Sequence, residues 1–184
     1  MKLCTESFKE RLDKKEKMQR AIEYIAFFVV VVLLQALLFD NLLFSGLIVP
    51  LYYVVFLVLL PVKMNRLWLL VVGTLLGVTM DVSMGTAGLN TIATTAVAFL
   101  RPLAINLSMG KDVAHESIPY GGAIATHSFL LYATMLVGLH QTLFFGFESL
   151  GSHPLYTVAK IVLSTLVTVV LVVFTARLFR RVVG

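Results

Sequence analysis

Charge is scarce in this chain and sulfur chemistry nearly absent. Charged residues make up 14% of it and hydrophobic residues 59%, whereas a soluble domain carries roughly 25% charged residues. That balance excludes a water-soluble globule. The single cysteine, Cys4, excludes an internal disulfide and reads as a cytoplasmic free thiol ahead of the first apolar run. No serine sits in a nucleophile-elbow motif, no glycine loop matches a phosphate cradle, and no paired carboxylates share a helix face inside the apolar runs. No catalytic constellation is legible, so a non-enzymatic role is expected. The four histidines, His115, His127, His140 and His153, fall on two different membrane faces, whereas a metal site needs converging ligands. Neither a metal nor any other cofactor is expected.

What is present is apolar sequence in long runs. Six of them lie at about residues 21–39, 46–62, 67–83, 88–105, 121–145 and 155–179. A span takes roughly 20 apolar residues, so six consume nearly the whole chain. The basic residues alternate with these runs. Lys2, Lys9, Arg11, Lys14, Lys15, Lys17 and Arg20 precede the first, Lys63 and Arg66 follow the second, Arg101 near the end of the fourth and Lys111 beyond it belong to the fourth connection, and Arg177, Arg180 and Arg181 close the chain. The intervening turns, 40–45, 84–87 and 146–154, contain no Lys or Arg. By the positive-inside rule both termini lie in the cytoplasm and the number of crossings is even. The expected fold is all-α: a polytopic membrane protein with six transmembrane helices over residues 21–184, preceded by a basic cytoplasmic tail or helix, 1–20. The first run lacks a small-residue cleavage site and reads as a retained helix rather than a signal peptide. The net charge of +5 then reports orientation and contact with membrane lipid, with no nucleic-acid partner implied.

Phe8, Leu12 and Met18 give the tail a weak apolar stripe, consistent with a solvated extension of the first helix near anionic headgroups or with a docking helix. Pro50 and Pro61 bracket the second run, and Trp68, Tyr120 and Tyr156 sit where interfacial anchors belong. The longest loop, 106–120, is cytoplasmic and holds Lys111, Asp112, His115 and Glu116.

Polar residues inside the runs are few. Asp81 lies deep in the third, on a face where Gly73, Gly77 and Gly85 recur every four residues. A carboxylate at bilayer depth costs roughly 2.5 to 3.5 kcal/mol, so it needs a partner, and glycines at this spacing let a second helix approach closely. Aligned by topology, Gln35, Asn90, Thr91, Thr94, Thr95, His140, Gln141 and Lys160 share the outer half with Asp81. They form a possible polar cluster. Lys160 pairs with Asp81 there, or each group satisfies itself locally or snorkels to the headgroups.

The stretch from Gly73 to Pro102, GTLLGVTMDVSMGTAGLNTIATTAVAFLRP, resembles the signature region of the MreD family, the rod-shape-determining membrane proteins of bacteria. The match consists of a glycine-rich span ending in Gly77-x-x-x-Asp81, a short outer turn, and Gly88-Leu89-Asn90 opening the next span. The resemblance implies a non-enzymatic part of the elongation complex that builds lateral peptidoglycan. Its implied partners are a single-span MreC-like protein and, in a larger complex, MreB, RodA and a class B penicillin-binding protein. It also implies a fold similar to the six-helix substrate-binding subunits of energy-coupling-factor transporters, and marks Gly73, Gly77, Asp81, Gly88 and Asn90 as helix-packing or partner-contact positions. A small-molecule-binding transporter subunit is the alternative, and homodimerisation is open.

Overall fold

A computed structural model describes residues 2–39, 46–110, 126–150 and 154–183 of the protein. Among them there are helices and no strand. Helix α1 runs Lys2–Leu34 and ends in a π-helical turn, Gln35–Phe39; α2 is Val54–Leu59, α3 Arg66–Met84, α4 Leu89–Met109, α5 Thr126–Glu148 and α6 Pro154–Val183. The turn 40–45, most of the loop after the fourth run (111–125, with His115 and Tyr120) and residues 151–153 with His153 lie outside the described residues.

Among the described residues five segments are long and apolar enough to cross a membrane: Met18–Phe39, Arg66–Met84, Leu89–Met109, Thr126–Glu148 and Pro154–Leu178. At about 1.5 Å per residue, 19 residues already approach the roughly 30 Å of a hydrocarbon core. Helices α3, α4, α5 and α6 pack in chain order, each on the next. Their caps follow local chemistry. Asn65 accepts the Leu67 N–H at 3.0 Å to start α3, and Gly85, at φ 66°, stops it in the left-handed region open to glycine.

The second apolar run departs from the expected full-length helix. Only Val54–Leu59 is helical, about 9 Å of rise. Yet every residue from Leu51 to Leu60 is buried, and α2 touches α1, α4, α5 and α6. The run threads the bundle's interior. At one end the Gly46 carbonyl accepts from Tyr156 at the start of α6, and at the other the Leu60 and Pro61 carbonyls accept from Arg101 near the end of α4. Pro50 and Pro61 explain the short helix, since neither can donate to a helical ladder and each disfavours helix in the residue before it.

Irregular backbone at this depth is tolerated only where protein groups satisfy it, and they do. Gln35 Oε1 accepts the Tyr52 N–H at 2.7 Å and the Tyr53 N–H at 3.3 Å, while its Nε2 donates to the Pro50 carbonyl. Ser164 Oγ on α6 accepts the Val49 N–H at 3.0 Å. Tyr132 on α5 donates to the Val58 carbonyl at 3.1 Å. The surrounding helices thus supply hydrogen bonds that the broken segment cannot make for itself.

Candidate functional site

The residues singled out in the sequence fall into one connected knot and several separate contacts. The knot begins with the close approach of α3 to α4. A Cβ on Gly77 would collide with Thr94 Oγ1 and Thr91 Cα and lie 2.9 Å from the Asn90 carbonyl, and one on Gly73 would lie 2.7 Å from Ala98 Cβ. Both glycines are therefore spent on packing within the chain. Gly85 and Gly88 are not on that surface; a Cβ on either meets nothing within 4 Å, and both serve the turn through left-handed φ angles of 66° and 88°.

That close approach brings Asp81 to the start of α4. The α4 N-cap, Gly88, has no side chain to accept from the first turn, and Asp81 takes over that role from the neighbouring helix. Its Oδ1 accepts from the Asn90 N–H at 3.0 Å and from Thr86 Oγ1, and its Oδ2 accepts from the Thr91 N–H at 2.9 Å and from Thr91 Oγ1. A carboxylate here answers two orphan backbone donors and sits at the positive end of the α4 dipole.

The network continues inward. Asn90 Nδ2 donates to Thr86 Oγ1 at 2.7 Å, and Asn90 Oδ1 accepts from Tyr53 Oη. Tyr53 Oη also lies 3.1 Å from His140 Nε2. Since the single Tyr53 proton is given to Asn90, Nε2 is the donor in that contact and carries a proton. Donors point in one sense from His140 through Tyr53, Asn90 and Thr86 to Asp81. The chain ties α5, the interior segment, α4, the four-residue turn and α3 together, and its bonds reinforce one another in low dielectric. His140 Nδ1 has no partner among the described residues.

Of the remaining predicted residues, Thr94 donates to the Asn90 carbonyl at 2.7 Å, and Thr95 pairs with Thr74 across α3 and α4 at 3.0 Å. Gln141 donates to Thr168 on α6 at 3.2 Å, and Gln35 belongs to the interior segment. The Asp81–Lys160 pair does not form. Lys160 instead bonds Glu148 at 2.7 Å and lies over the Phe145 ring, 4.3 Å from its centroid. The reason is adjacency: α5 and α6 are neighbours, so Glu148 lies close to Lys160, and Asp81 already accepts from Thr86 in the turn and from Asn90 and Thr91 in α4.

Charge order places Arg101 in a cytoplasmic connection, but it is inside α4 and 1% exposed. Its Nε donates to Tyr132 Oη at 2.8 Å, Nη1 to the Pro61 carbonyl at 3.1 Å, and Nη2 to the Leu60 carbonyl. With Tyr132 on Val58, three carbonyls at the C-terminal end of α2 are satisfied, and the cation sits at the negative end of that helix. The signal available in the sequence was Arg101-Pro102 directly after an apolar run, which reads equally well as a span end.

Chemically the knot is a structural joint: neutral donors converging on one capped carboxylate. Removing the carboxylate should therefore loosen the α3–α4 joint. We expect Asp81→Ala to lower stability by about 2 kcal/mol, the scale of a lost cap with charge-assisted bonds. Asp81→Asn should cost about half as much, because one oxygen survives while an amide NH2 meets donors at the other position. Thermal unfolding of the detergent-solubilised protein measures both, and unchanged midpoints would show that the cap contributes nothing. No family model, curated protein or solved structure matches the chain.

Proposed function

We propose that the protein is a non-enzymatic integral membrane scaffold of the MreD type, acting in the bacterial cytoplasmic membrane to hold an MreC-like partner and help direct lateral peptidoglycan synthesis. The observation that carries this reading is the Gly73–Pro102 resemblance together with what those residues build. Gly73, Gly77, Asp81 and Asn90 make a tightly joined α3–α4 hairpin, as suits a part that transmits position rather than one that opens around a substrate. On this reading the interior segment 46–62 is the second of six crossings, and Arg20, Lys63 and Arg66 mark the cytoplasmic face with both termini. The fold likeness to the six-helix subunits of energy-coupling-factor transporters belongs to the same proposal.

Partner recognition then falls to helix faces within the bilayer. Large apolar side chains are exposed along α1, α3 and α6, among them Val29, Val78, Val82 and Val170. Such faces suit the span of an MreC-like protein and, through it, MreB, RodA and a class B penicillin-binding protein, and they are compatible with a homodimer. In contrast, the polar residues of this region hydrogen-bond to other groups of the same chain, which favours a scaffold over a transporter's ligand pocket. Affinity purification of the tagged protein in mild detergent tests this. Recovery of a single-span MreC-like protein is expected, and recovery of an ATPase pair with a coupling subunit would replace the scaffold with the transporter reading.

A further inference from the structure

Between α1 and α3 the bundle has a groove of about 780 Å³, within the roughly 300–1,000 Å³ typical of pockets that hold organic ligands. Its floor is the interior segment, with Phe56 upon it. Its walls are Tyr24 and Phe28 on α1 and Trp68 on α3. The depth of the groove is apolar, and two cations lie at the end where α3 begins: Arg20 from α1 and Lys63 from the turn before Asn65. Among the described residues none of those lining it is acidic. Trp68, exposed beside this end, has the amphipathic ring characteristic of the headgroup level.

We propose that this groove is a binding site for an anionic phospholipid, with its acyl chains on Phe28 and Phe56 and its phosphate between Arg20 and Lys63. Charge complementarity decides the occupant. A zwitterionic lipid would fill the apolar depth equally well, but its own headgroup cation would repel Arg20 and Lys63 and compete with them for the phosphate, whereas basic pockets between transmembrane helices select anionic headgroups. The site does not depend on the scaffold reading, because its lining includes neither the residues of the α3–α4 joint nor the exposed Val29, Val78, Val82 and Val170 of the partner-facing surfaces.

The test uses the full chain in nanodiscs containing equal amounts of phosphatidylglycerol and phosphatidylcholine of matched chain length. Lipids retained after release are counted by native mass spectrometry. Phosphatidylglycerol should be retained about tenfold over phosphatidylcholine, the scale expected from two basic residues near one phosphate. Arg20→Gln with Lys63→Gln should bring the ratio near one. Val72→Trp, which places a bulky ring on the groove wall, should reduce total retention while the cations remain. If the double variant does not fold, Lys63→Gln alone should still lower the ratio. Equal retention of both lipids by the wild type, or a ratio unaffected by the cation substitutions, would overturn the proposal. So would displacement of the lipid by millimolar inorganic phosphate, which indicates a bare anion site, or crosslinking of Trp68 to a partner helix instead of lipid.

Discussion

Gly77→Leu should drive α3 away from α4 and be the most damaging single substitution at the α3–α4 joint. A Cβ at this position already collides with Thr94 Oγ1 and with the Thr91 backbone. Backbone cannot rotate aside as a side chain can, so the two helices must separate. Separation would break more than packing. It would pull Asp81 from the Asn90 and Thr91 amides, and with them the bonds that lead through Asn90 to Tyr53 and His140. Overpacking alone costs about 1 to 3 kcal/mol, and loss of the remote cap adds about 1 kcal/mol. A loss of about 3 kcal/mol or more is expected, seen as a fall in membrane accumulation and in the unfolding midpoint in detergent. Gly138→Ala provides the contrast. A Cβ there meets only Thr165 Cγ2, at 3.9 Å, and alanine raises helix propensity by up to about 1 kcal/mol, so accumulation should be unchanged or improved. Equal behaviour of the two variants would mean that the α3–α4 approach is not limiting.

Arg101→Met should destabilise the protein by about 3 kcal/mol, with the damage centred on the interior segment rather than on α4. Methionine preserves the stem volume and helix propensity. What disappears are charge-assisted donors to the Leu60 and Pro61 carbonyls and to Tyr132, each worth roughly 1.5 to 3 kcal/mol when a buried acceptor is stranded, and not fully additive. Arg101→Lys should fall between the two, because one ammonium cannot reproduce a planar fork that serves two carbonyls and a phenol at once. Unfolding midpoints give the order, and limited proteolysis near residues 60–66 locates the damage. Wild-type stability of Arg101→Met would show that water or another group replaces the guanidinium and that the interior segment does not rely on it.

The identity of Arg101 as a core residue was hidden by its position. A basic residue after the predominantly apolar stretch Leu89–Leu100 of α4, next to a proline, reads as a cytoplasmic end on charge statistics alone. Only the neighbouring carbonyls of Leu60 and Pro61 reverse that reading, and they come from a segment about 40 residues earlier in the chain. Asp81 illustrates the opposite situation. Its need for a partner was legible from its cost in an apolar environment, but its donors were local, in the turn and the first residues of α4, while Lys160 had a closer acid in Glu148.

Hydropathy was sufficient for class and for most elements, because each long apolar run must satisfy its own backbone in lipid and a helix does so within one segment. Helix class and the five long apolar helices followed from that constraint, and the glycine spacing of Gly73 and Gly77 announced a close helix contact. The same constraint misled at residues 46–62. Periodicity and hydropathy cannot distinguish an apolar helix exposed to lipid from an apolar segment enclosed by protein. Enclosure removed the demand that the backbone satisfy itself, since Gln35, Ser164, Tyr132 and Arg101 supply the missing bonds from other helices. Composition and charge order determined what kind of protein this is, and the tertiary structure decided which run lies at its centre, because that choice depends on partners distant in sequence.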